Sequence, residues 1–103
     1  MIVRAWTAEA SGGNVEAYIR HVHDVVLPEL AQIPGHAGTY LLRRDLGTRV
    51  EVMVLTLWES MEAVERFAGK SFDRAVIAPA AQAMLDKFDS TVRHYEIVQS
   101  TVG

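Results

Sequence analysis

The chain has 103 residues, half of them hydrophobic and 22% charged, which is the composition of one folded domain with a single core rather than of a disordered segment. A formal charge of −3 and a pI near 5.7 supply no global attraction for nucleic acid or anionic lipid, and neither is expected as a partner. The absence of cysteine excludes disulfides, thiolate metal sites and cysteine nucleophiles.

The opening Met1-Ile2-Val3-Arg4-Ala5-Trp6 carries no cationic leader, and no stretch approaches the roughly 20 apolar residues of a membrane helix, so the expected location is the cytoplasm. Ile2 to Thr7, rich in β-branched and aromatic residues, predicts a first strand closed by Ser11-Gly12-Gly13. From Asn14 as N-cap, apolar residues recur at Val15, Tyr18, Ile19, Val22, Val26, Leu30 and Ile33, the stripe of a long amphipathic helix. Pro28 removes a backbone donor inside it and predicts a kink or break near Leu27; Pro34-Gly35 ends it.

Thr39 to Arg44 and Val50 to Trp58 predict two antiparallel strands joined at Asp45-Leu46-Gly47-Thr48. Ser60 is placed to cap a short helix that carries Met61, Val64, Phe67 and Ala68 and stops at Gly69. Ser71 is expected to cap another turn or two ending before Pro79, with helix continuing from Ala80 to Phe88. Thr91 to Gln99 predicts the last strand. The fold class is α+β in βαββαβ order: one domain over residues 1–103, with an antiparallel sheet and helices on one face.

The segment from Val50 to Trp58 is apolar on both faces of the sheet: Val50, Val52, Val54, Thr56 and Trp58 on one, Met53, Leu55 and Leu57 on the other. Helices of so short a chain cover one side only, and a second copy related by a two-fold axis is the expected cover for the other. The chain's first expected partner is therefore itself, as a homodimer packed sheet against sheet.

Several of these residues resemble a known family. The element order, the turn Ile33-Pro34-Gly35-His36-Ala37-Gly38, the hairpin with Leu42-Arg43-Arg44, and Leu55-Thr56-Leu57-Trp58-Glu59-Ser60 followed by Ala63 and Phe67 resemble the antibiotic biosynthesis monooxygenase (ABM) family over the whole chain. The resemblance implies a ferredoxin-like fold assembled as a dimeric α+β barrel. It also implies a pocket between sheet and helices, with Trp58 in its wall, for a small apolar or aromatic molecule. The implied activity is a cofactor-independent monooxygenase acting on an aromatic or quinol-like substrate; a non-catalytic ligand-binding or accessory homodimer is the alternative. A haem-degrading branch of the family has an axial histidine where this chain has Val76 and a first-strand asparagine where it has Arg4-Ala5-Trp6-Thr7, so haem is not the expected ligand.

Oxidising a phenol with dioxygen calls for an apolar pocket, an acceptor for the phenolic proton and donors to the resulting anion. Trp58 either packs against the substrate ring or seals the end of the core. His94 shares a strand face with Glu96 and is either a general base or a hydrogen-bonded histidine at the dimer seam. Tyr95 points the other way, to donate its hydroxyl or to fill the opposite layer. These three are the candidate catalytic residues. Of Arg4, Arg43, Arg44 and Arg93, one facing the pocket would bind an enolate or carboxylate. His21 and His23 stand about 200° apart around a helix and cannot close on one ion, and His94 with Glu96 lacks a third ligand; no metal and no cofactor are expected.

Overall fold

The structure, a computed structural model, describes residues 1–102. Its antiparallel sheet runs β2-β3-β1, with both β4 and β5 on the far edge of β1. In chain order the elements are β1 (Ile2–Ser11), α1 (Gly12–His21), a π-helical turn (Val22–Val26), α2 (Leu27–Leu30), β2 (His36–Asp45), β3 (Arg49–Trp58), α3 (Met61–Ala68), α4 (Pro79–Gln82), β4 (Lys87–Phe88) and β5 (Arg93–Glu96). This is the expected α+β ferredoxin-like architecture, with helices on one face. Among the described residues no helix is long and apolar enough to cross a membrane.

β1 and β3 pair without interruption from Ile2↔Trp58 to Ser11↔Arg49, so their alternating residues form two shared faces. Towards the helices lie Ala8, Ala10, Val50, Val52, Thr56, Trp58 and Arg4, all buried. They pack with Val15, Tyr18 and Val22 of the first helix, Leu30 of α2, and Ala63 and Val64 of α3. On the other face, Val3↔Leu57, Ala5↔Leu55 and Thr7↔Met53 form three cross-strand rows, extended by Tyr40 and Leu42 of β2 and Tyr95 of β5. Among the described residues no helix covers these rows; Tyr40, Leu42 and Tyr95 are 51%, 43% and 52% exposed.

The proline in the first helix acts one turn earlier than expected. The chain does not break at Leu27; it widens, and the Leu27 N–H donates to the carbonyl of Val22, five residues back. Pro28, with no N–H of its own, sits in the first turn of α2, where none is required. At the other end of α2, Gly35 takes φ +92°, and a Cβ there would collide with the Cβ of Ala63. The turn is thereby pressed against α3, and its carbonyl accepts from the N–H of Glu59 at 2.8 Å. The Ser60 cap is as expected, its hydroxyl accepting from the Ala63 N–H at 3.2 Å.

Two expected elements are corrected. Residues 80–88 are not a helix: α4 ends at Gln82, and Lys87–Phe88 pairs with β1 at Glu9 and Ala8. Ser71 starts a single turn, within the one or two expected, and residues 75–78 carry no regular secondary structure. The last strand is also shorter than Thr91–Gln99, spanning Arg93–Glu96; before it, residues 90–92 bond to residues 73–75 instead of to β1, Ala75 N–H to Ser90 O at 2.9 Å and Val92 N–H to Asp73 O at 2.7 Å. Backbone groups that leave one partner must find another, and the segment after α3 supplies it. That exchange keeps residues 75–78 off the sheet and leaves space beneath them.

Candidate functional site

The space is a cavity of about 300 Å³ between sheet and helices. Its floor is Arg4 and Trp6 of β1 with Val54 and Thr56 of β3; its roof includes Tyr18, His21, Val25 and Val26, on and just before the widened helical turn. Phe67 closes one side, and residues 75–78 with Val92 close another. Most of this lining is apolar, so the few polar groups stand out.

Arg4 is the principal one. Strand alternation turns it inward with Trp6 and Ala8, and only 5% of it is exposed. Its guanidinium donates to the carbonyls of Phe72 (2.6 Å) and Arg74 (2.8 Å) and to Nε2 of His94 (3.0 Å), and it lies 5.5 Å from the centroid of the Phe67 ring. Burial lowers its pKa to about 10, opposed by the field of Asp73, so it remains a cation at neutral pH. Among the described residues no carboxylate lies within ion-pair distance of it. Three of the five N–H donors of an arginine are engaged here, and the other two have no acceptor among the described residues.

The remaining polar groups differ in what they offer. Tyr18 is 4% exposed, and burial pushes its phenol up to about 12, so it stays a protonated donor. The indole N–H of Trp6 is engaged with the Asp89 carbonyl at 2.6 Å. Glu29 is exposed and lines the cavity at its helix side. Nε2 of His21 is buried without a hydrogen-bond partner, the one such side-chain atom among the described residues.

The three candidate catalytic residues do not converge. Trp58 is fully buried, stacked on Phe67 with centroids 5.3 Å apart and edge-on to His36 at 5.2 Å; its indole N–H donates to Thr56 Oγ1 at 2.9 Å. It stands behind the cavity wall and supports two residues, Phe67 and Thr56, that form it. His94, opposite Arg4 on β5, accepts from Arg4 through Nε2; since a guanidinium only donates, the ring is neutral with its proton on Nδ1. Burial and then the Arg4 charge lower the His94 pKa, with Asp73 opposing. Tyr95 lies on the opposite sheet face, away from the cavity.

Arg4 was legible beforehand only as one of four strand arginines; its inward parity with Ile2, Trp6 and Ala8 was a usable signal. His21 was weighed only as half of a chelate, and nothing in the linear sequence marks its ring nitrogen as unpaired. Among the described residues no group of three or more His, Asp or Glu side chains is arranged to hold a metal ion.

The comparisons with known proteins accord with this fold. A protein of Mycobacterium tuberculosis described as uncharacterized is 36% identical over an alignment of 95 residues that covers 88% of this chain; the chain spans 39% of the length of that relative. A crystal structure described as an antibiotic biosynthesis monooxygenase from Bacillus cereus superposes with a TM-score of 0.68 at 16% identity, over all of this chain and 96% of the other. The haem degrader MhuD of Mycobacterium tuberculosis, with two haems bound, matches at 0.60 and 25% identity over the full length of both chains. SnoaB, a cofactor-independent oxygenase from Streptomyces nogalater, matches at 0.59 and 20% identity over 97% of this chain and 96% of its own. The sequence profile described as antibiotic biosynthesis monooxygenase matches residues 1–78, and the chain belongs to that family.

Proposed function

We propose that this protein is a cofactor-independent monooxygenase that binds a small aromatic or quinol-like hydroxyl compound in the cavity over Arg4. The observation that carries this reading is a buried guanidinium with no carboxylate partner at the floor of a mainly apolar cavity. An unpaired buried charge is costly, and the anion of an acidic phenol or enol is the complement that such a site lacks. About 300 Å³ is at the small end of ligand pockets and suits one or two fused rings.

Held as the anion, such a substrate is electron-rich enough to reduce dioxygen directly. In a substrate whose keto tautomer carries a ring CH₂, one oxygen atom replaces the two hydrogens of that carbon as a carbonyl and the other leaves with those hydrogens as water, so no external reductant is consumed. Arg4 stabilises the anion through its two unspent donors. His94, by occupying a third, and Trp58, by backing Phe67 and Thr56, are positioning residues in this scheme.

The test is oxygen uptake by the pure protein with a panel of anthrones, hydroquinones and naphthols, repeated with Arg4→Met. Uptake that the substitution lowers at least tenfold supports the reading; no uptake with any member overturns it. A non-catalytic ligand-binding dimer is the second reading, favoured by one observation: Arg4 occupies the His94 lone pair that a general base would need. It expects the same compounds to bind and no oxygen to be consumed. Haem fits less well, since Val76 in the cavity wall cannot ligate iron.

The uncovered sheet face supports a homodimer. Its apolar rows surround a hollow of about 510 Å³ bordered by Val3, Ala5, Met53, Leu55, Arg93 and Tyr95, a surface that a second copy would cover.

A further inference from the structure

We propose that Tyr18 is a ligand-binding residue whose hydroxyl donates a hydrogen bond to a second oxygen of the bound molecule, so that the cavity selects phenols and enols that carry a carbonyl across the ring from the acidic hydroxyl. This rests on the proposed occupancy of the cavity and deepens it by naming the substrate class. Tyr18 belongs to the buried face of α1 and lines the cavity from the helix side, while Arg4 lines it from the sheet. The two therefore belong to opposite walls. The Tyr18 ring packs with Ala8, Val22, Val52 and Ala81, and it tilts against Trp6 with centroids 6.4 Å apart. A ring held on so many sides keeps one rotamer, which fixes where its hydroxyl points.

That hydroxyl is both unpartnered and open. It makes no hydrogen bond with any described residue, although only 4% of Tyr18 is exposed. A sealed polar atom without a partner is a different case: Nε2 of His21 is the one such side-chain atom among the described residues, and the Tyr18 oxygen does not share its condition. The small part of Tyr18 left accessible therefore includes its oxygen, on a residue that borders the cavity. Burial raises the phenol to about 12, so the hydroxyl keeps its proton. A phenol oxygen shares its lone pair with the ring and accepts poorly, so donation is the role left unmet. A donor without an acceptor against an apolar cavity is a cost that a ligand oxygen removes. Arg4, from the other wall, suits an anionic oxygen, and Tyr18 suits a neutral carbonyl. A ring with an acidic hydroxyl at one end and a carbonyl at the other satisfies both walls at once.

The experiment compares 4-hydroxyacetophenone with 3,5-dichlorophenol, a phenol of similar acidity that lacks the carbonyl, by calorimetric titration in the absence of dioxygen. At about pH 9 both compounds are ionised while Arg4 and Tyr18 keep their protons. Tyr18→Phe is expected to weaken binding of the ketone about fivefold, the worth of one net hydrogen bond, and to leave the chlorophenol within about twofold. Its thermal melt should match that of the unsubstituted protein, because the hydroxyl removed holds no partner among the described residues. Ketone affinity that Tyr18→Phe leaves unchanged, or an equal loss for both compounds, overturns the assignment of Tyr18 and leaves the Arg4 site standing. A lowered melt shows the hydroxyl bonded inside the protein and overturns the assignment as well. Failure of both compounds to bind the unsubstituted protein overturns the cavity reading and the Tyr18 role together.

Discussion

Replacing Arg4 with methionine tests the site most directly, because it keeps most of the side-chain volume and removes the charge and every donor. Three acceptors then lose their partner: the Phe72 and Arg74 carbonyls and Nε2 of His94. Each abandoned buried acceptor costs about 1–3 kcal/mol. Asp73 and Arg74 are exposed, so water reaches part of this region, and removing a desolvated cation offsets more of the loss. The net is about 2 kcal/mol of stability, or roughly 8 °C in Tm for a domain of this size. Ligand binding should suffer more. A hydrogen bond to a charged group contributes about 1.5–3 kcal/mol, so affinity for a phenolate is expected to fall roughly 10- to 100-fold. 4-Nitrophenol is a suitable probe, since its phenolate is distinguished from the phenol by visible absorbance, and circular dichroism follows the melt. Arg4→Lys separates the two effects: it retains the charge but not the planar fork, so affinity should fall less than with methionine while Tm falls comparably. An Arg4→Met protein that binds 4-nitrophenolate as tightly as the unsubstituted one would refute the anion-site reasoning.

His94 gives a pH signature. Its pKa is lowered in the folded state from 6.5, so as pH falls below 6.5 the unfolded chain takes up a proton that the folded one resists. Its stability contribution is present above that pH and lost below it, and His94→Gln, which keeps an acceptor for Arg4, should flatten the fall of Tm between pH 7 and 5; an unchanged slope would count against a neutral His94. Gly35→Ala should cost about 2 kcal/mol or more, read as a drop in the urea midpoint, because φ +92° and the Ala63 Cβ both oppose a side chain; a midpoint shift below about 0.5 kcal/mol equivalent would show that the turn relaxes freely. Leu55→Asp, in the middle of the uncovered face, should convert a two-chain species in sedimentation at micromolar concentration to one chain mass, whereas an unsubstituted protein that already sediments as one chain would remove the dimer.

Local physics made much of the fold legible in advance. Alternation in Val50–Trp58 assigned both faces of β3, because side chains of an extended strand have no other choice than up or down. Ser60 announced the start of α3 for an equally local reason: its hydroxyl answers an N–H three residues on. The amphipathic stripe from Val15 to Leu30 likewise found its buried face.

Residues 83–92 depart from the expectation because their small apolar side chains suit a helix, and propensity is overridden when backbone groups find partners elsewhere. The free edge of β1 took up Lys87–Phe88, and residues 73–75 took up the chain at 90–92. That long-range exchange also opens the cavity, so its contents could not be read locally either. Trp58 and His94 were singled out by type and position, yet one stands behind the wall and the other holds Arg4 by its lone pair. The linear order of residues determines which faces are apolar and where helices begin. Which buried charge lacks a counterion, and which ring nitrogen lacks a partner, are decided by every element packed around them and therefore by the tertiary structure alone.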